Sequence, residues 1–212
     1  MNQLRVVLPH SAAYRLGSGA EDSLFLRSFS VLVLSVLAAE DLKTPFSRRY
    51  RIQRFSGSWR ALAQGGERPS RIRPHKGWGH TTAHFAKLLK FLARSPRPTR
   101  EQQARIVEAI AHRLQTAGQV FTWGEDGRLA YALASITHRV DADPGPFNVW
   151  FGQIKQAHLR VWTGPLDPAE YVRERAQLNA LSELAADLEA DATPGGTREI
   201  RVTLRALRSE PR

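Results

Sequence analysis

From Asp22 to Ala39 the chain is apolar on nearly every helical face, broken by Arg27 and by short polar residues such as Ser30 and Ser35. That pattern predicts a helix at the centre of a core rather than on its surface. The longest apolar run, Phe29 to Ala39, is about eleven residues, against the roughly twenty that a bilayer requires. Glu40 and Asp41 follow it where a secretory cleavage site would need small residues. Residues 45 to 63 predict a weaker helix anchored by Phe46, Tyr50, Phe55, Trp59 and Leu62, and Gly65 to Gly77 reads as a loop. An amphipathic helix is expected from His80 to Ala93, ended by Pro96 and Pro98. Thr99 with Gln102 is a capping box for the next helix, in which Ile106, Val107, Ile110 and Leu114 recur at helical spacing until Gly118.

A shorter helix is expected over 125 to 137, with Leu129, Leu133 and Ile136 facing inward. After the Asp-Pro-Gly-Pro turn at 143 to 146, Phe147, Trp150, Phe151, Ile154 and Val161 form one stripe. Asp167 and Pro168 mark the start of a last long helix, which ends near Ala190. The pattern therefore divides the chain into an N-terminal arm (1–20), a helical domain (21–190) and a linker with a basic tail (191–212). In the tail Ile200, Val202 and Leu204 alternate with Arg201, Thr203 and Arg205, the period of a short strand or of a disordered basic end. The fold class expected is all-α, with about seven helices arranged as a HEAT-like helical repeat or an irregular bundle. No exact internal sequence repeat is present.

Charge changes this picture. The 212-residue chain carries a net +11, but between Lys43 and Arg100 fifteen basic residues face the single acid Glu67. That stretch is +14 and the remainder −3, a distribution that a polyanionic partner would explain. Arg48, Arg49, Arg51 and Arg54 fall within two turns, and Arg71, Arg73 and Lys76 line the following loop. Aromatic residues, Trp78 among them, are interleaved with these cations, as stacking on bases requires. Nucleic acid or another polyanion is the partner expected, an acidic protein the second, and no membrane is implied. With no cysteine, disulfides and thiolate metal sites are excluded, and the composition fits a reducing, cytoplasmic setting.

Trp78, His80 and His84 are the most enzyme-like cluster. Four residues apart on a helix, the two rings share one face and one ion could bridge them. A zincin would place Glu after the first histidine, where Thr81 stands, and Lys87 on the same stripe repels a cation. Nothing in the spacing supplies a third ligand from Glu125, Asp126 or His138. The expectation is no metal and no cofactor, with both histidines hydrogen-bonded to structural partners. Asp126, beside Glu125 at a helix start, is a weak acid/base candidate, since capping and the helix dipole already account for it.

Four segments in order, Asp22 to Ala39, Lys76 to Leu89 (KGWGHTTAHFAKLL), Gly124 to Leu133 (GEDGRLAYAL) and Leu166 to Leu184, resemble the bacterial domain-of-unknown-function family DUF2785 over roughly residues 20–190. The resemblance implies HEAT-type helical repeats and no established activity; Lys87 stands where members usually carry an acid. The reading that follows is a non-enzymatic helical-repeat module binding nucleic acid without sequence preference. The alternatives are a metal- or histidine-dependent enzyme centred on Trp78, His80 and His84, and a protein scaffold.

Overall fold

A computed structural model of the chain describes residues 21–44, 71–73, 77–190 and, in the tail, 198, 201, 202, 204 and 205. The described residues are all-helical in class: six helices, α1 (Glu21–Lys43), α2 (Thr81–Arg94), α3 (Arg100–Gln115), α4 (Glu125–Thr137), α5 (Gly145–Thr163) and α6 (Pro168–Ala190). The weaker helix expected at 45 to 63, and the arm at 1–20, lie outside the described residues. No described helix is long and apolar enough to cross a membrane.

Local signals explain most of the boundaries. Thr99 Oγ1 accepts the Gln102 amide at 3.3 Å while the Gln102 side chain accepts the Thr99 amide at 3.0 Å, so the capping box starts α3. Ser95 is extended before Pro96, which cannot continue α2. Asp143 Oδ1 accepts the Gly145 amide at 2.9 Å, and Asp167 Oδ1 accepts that of Ala169 at 2.8 Å. Each carboxylate satisfies an orphan donor at a helix start.

Three expectations are corrected. The Gly65–Gly77 loop contains a strand, Arg71–Arg73 (β1), which pairs antiparallel with β2 (Gly77–Gly79). Trp78 stands opposite Ile72 in this ladder. The described residues of the tail are helical rather than extended, and Leu204 is buried in the core while Val202 is exposed. A 3.6-residue period that buries Leu204 prevails there over the alternation. Finally, among the described residues α1 lies at the end of the helical row rather than at its centre. It packs on α2 and touches β2. Ser28, Val31, Leu34, Ser35 and Ala38 are buried, but Leu26, Phe29, Val33 and Val36 form an exposed stripe.

The helices alternate between two sides. α1, α2, α4 and α6 pack side by side in that order, while α3 and α5 lie against α6 and each other, with α3 also meeting α2 and α4. One continuous core joins them, with Phe85, Ile110, Leu133, Trp150 and Leu184 among its members. Helix α2 needs two apolar flanks because it has a neighbour on each side. Phe85, Leu88, Leu89 and Leu92 are buried, leaving Lys87, Lys90 and Arg94 on its remaining face.

Several buried polar groups tie the helices of this core together. Trp150 Nε1 donates to Gln177 Oε1 at 2.9 Å, and Glu174 accepts Trp162 Nε1 at 3.1 Å while also bonding His158, which ties α5 to α6. Arg139 donates to Asp141 and to the Ala93 carbonyl, at 2.9 and 3.1 Å, and holds the end of α4 to the end of α2. The Arg139 guanidinium keeps the Asp141 carboxyl below its usual range.

Candidate functional site

The row of α1, α2, α4 and α6 carries a cavity of about 630 Å³. It begins at the turn into α2. His80 is the residue before the first helical turn, with φ −88° and ψ 56°, and its carbonyl accepts the His84 amide at 3.0 Å. The rings of His80 and His84 are 6.3 Å apart and both line the cavity, so the four-residue spacing does place them on one face.

His84 is anchored from the far side. Its Nδ1 lies 2.9 Å from both the carbonyl oxygen and the hydroxyl of Ser28 on α1. A carbonyl only accepts, so Nδ1 carries the proton and the neutral ring keeps Nε2 as an acceptor. Burial lowers the His84 pKa first; the Ser28 carbonyl opposes this, and the positive surroundings of His80, Lys87 and Arg128 reinforce it. His80 is lowered by burial and by Arg128, against the Glu125 carboxylate. Both rings therefore favour the neutral form.

Charge enters the cavity from three helices. Lys87 and Lys90 come from α2, Arg128 from the first turns of α4, and Glu183 and Asp187 from α6. Lys90 lies 5.5 Å and Arg94 5.1 Å from the centre of the Tyr131 ring, so two cations share one aromatic wall. The Lys90 pKa is lowered by burial and then by Arg94 and Lys87, the mark of cations crowded together. Gly124 enters α4 with φ +70°, a left-handed conformation that favours glycine, and it too lines the cavity.

Behind the cavity wall lies a buried charge. The Arg113 guanidinium, 4% exposed, donates to Thr82 Oγ1 at 3.2 and 2.9 Å and lies 5.6 Å from the Phe121 ring. Burial pulls its pKa down to about 10, against the field of the equally buried Glu125.

The residues singled out in the sequence fare unequally. His80 and His84 come together on the cavity. Asp126 does not line it, and its Oδ1 accepts the Gly127 amide at 3.0 Å, a local helix-start contact. Glu125 Oε2 accepts the Trp123 amide at 3.0 Å, again as a cap. His138 sits at the opposite end of α4. Among the described residues no group of three His, Asp or Glu is arranged to hold a metal ion. Arg48, Arg49, Arg51, Arg54 and Lys76 lie outside the described residues. Arg71, Arg73 and Trp78 are placed on β1 and β2 by their backbone alone. Sequence reasoning missed Arg128, Tyr131, Glu183 and Asp187 as cavity residues. Its available signal was the stripe His80, His84, Lys87, which marked a polar face of α2 without saying what lay opposite.

No curated protein and no solved structure matches this chain. The family model described as "Protein of unknown function (DUF2785)" matches residues 13–185, and it takes in the histidine turn, the start of α4 and most of α6. The chain belongs to the DUF2785 family.

Proposed function

We propose that this chain is a non-enzymatic helical-repeat module that holds nucleic acid, or another phosphate-bearing polyanion, on the basic side of its helical row. The observation that carries this reading is the convergence of Lys87, Lys90 and Arg128 on one cavity, with Arg94 beside Tyr131. The sequence adds Arg48, Arg49, Arg51, Arg54, Arg71, Arg73 and Lys76 to the same excess of charge. Contacts of this kind address phosphates and position a strand without reading its bases. The repeat is supported by the order of packing: α2, α4 and α6 stack as alternate helices while α3 and α5 form the other side.

The experiment is a salt titration of binding. For about five neutralised phosphates on duplex DNA, log K should fall against log salt with a slope near −4 to −5. Reversing Arg48, Arg49 and Arg51 to Glu should flatten the slope and weaken binding equally across unrelated sequences. A folded protein that binds no polyanion at about 50 mM salt ends this reading.

A second reading, a histidine-dependent enzyme, is favoured by one observation: two histidines with lowered pKa values line the same cavity. Neutral rings suit general-base chemistry. Turnover of a phosphoester or acyl substrate, abolished by His84→Gln, would support it.

A further inference from the structure

The five charged groups lining the cavity are sorted by element. The cations Lys87, Lys90 and Arg128 belong to α2 and α4, and both carboxylates, Glu183 and Asp187, belong to α6. Glu183 and Asp187 are four residues apart and so share one helix face. Opposite charges on one cavity normally collapse into ion pairs, yet among the described residues neither carboxylate pairs with any of the three cations. A surface built only to hold phosphates gains nothing from two carboxylates on its wall, which repel them. The arrangement suits a ligand that is itself bipolar, with an anionic end and a hydrogen-bond-donating end.

Resting on the polyanion reading above, we infer that the cavity holds a single nucleotide unit by both ends. The phosphate lies against Lys87, Lys90 and Arg128, and an amino-bearing base edge lies against Glu183 and Asp187. A volume of about 630 Å³ is in the range of small-ligand sites. Tyr131, 46% exposed, and Leu32 supply aromatic and apolar wall. Carboxylates only accept hydrogen bonds, so they favour the amino group of cytosine, as they do in base-edge recognition. Uracil presents a carbonyl oxygen at the same position, and two carboxylates disfavour it.

Cytidine and uridine 5′-monophosphate differ at that position, and ribose 5-phosphate lacks the base altogether. Calorimetric titration of the full chain at low salt should rank the cytidine nucleotide about tenfold above the uridine one, with ribose 5-phosphate weakest. In the double variant Glu183→Gln, Asp187→Asn the cytidine preference should fall to near one while ribose 5-phosphate binds at least as well. Lys87→Gln should weaken all three ligands. Equal affinity for the two nucleotides in the unmodified chain overturns the inference. So does a folded protein that binds polymeric DNA but neither mononucleotide, an outcome that leaves the polyanion reading standing. A protein that binds the cytidine nucleotide selectively but no polymer keeps the cavity assignment and ends the polyanion reading. Displacement of the cytidine nucleotide by oligo(dC) at matched salt places a strand in the cavity; failure to displace it makes the free nucleotide the ligand.

Discussion

At His84 the imidazole does two things at once. Nδ1 fastens α2 to the Ser28 carbonyl of α1, and the rest of the ring forms part of the cavity wall. Burial comes first in lowering its pKa below the ordinary value near 6.5, and the donation from Nδ1 to the Ser28 carbonyl opposes that fall without reversing it. The sign of the consequence is fixed. The unfolded chain takes up the proton at higher pH than the folded one, so the contribution of this residue is complete above about pH 6.5. It is lost progressively as pH falls through the lower folded value. His80 is shifted in the same direction and adds to the effect. Thermal unfolding followed between pH 8 and pH 5 should show falling stability on the acid side, and a ¹H–¹⁵N titration should give midpoints below 6.5 for both rings. The His84→Ala variant should lose about 1–2 kcal/mol at neutral pH through the broken bond to Ser28. It should also show a shallower acid dependence. A midpoint above 6.5 for His84 would contradict the dominance of burial at this ring.

The elements meet through a small set of polar ties, and among the described residues Arg113 is the buried cation in that set. It leaves α3, reaches Thr82 in the first turn of α2, and feels Glu125 in the first turn of α4. The starts of α2 and α4, whose neighbouring residues line the cavity, therefore both meet one buried guanidinium from α3. Replacing it with Leu removes the partner of Thr82 and takes away a positive charge that interacts with the buried Glu125 carboxylate. A loss of roughly 3–5 kcal/mol in denaturant unfolding is expected. Adding Glu125→Gln should recover part of that loss, since a buried negative charge is removed along with the positive one. If the two substitutions instead add independently, Arg113 and Glu125 are not coupled. The boundaries of these same elements needed no tertiary information. Thr99 with Gln102, and Asp167 before Pro168, place them through contacts within a few residues, and a reader of the sequence sees those contacts directly.

Across the whole molecule the unexpected member is the tail. Leu204 is 2% exposed and joins the common core, and Arg201 donates to the Leu188 carbonyl at the end of α6. The tail residues thus help close the core beyond α6. Leu204→Ala should cost about 2–4 kcal/mol, the range for a buried leucine that leaves a cavity, whereas Val202→Ala, at an exposed position, should change stability by less than about 0.5 kcal/mol. Equal small effects at both positions would return the tail to the surface. The sequence by itself determined the helical class, nearly every helix boundary from α2 onward, the inward stripes of α3, α4 and α5, and the family. It could do so because caps, prolines and a 3.6-residue period act over a few residues. Only the tertiary structure decided that α1 leaves a stripe of Leu26, Phe29, Val33 and Val36 exposed. An apolar run records how much surface can be buried, not how many neighbours arrive to bury it. The tertiary structure alone also brought Arg128, Glu183 and Asp187 to the cavity that His80 and His84 line. Their meeting depends on α2, α4 and α6 packing side by side across more than a hundred residues of chain, a distance over which no local pattern carries information.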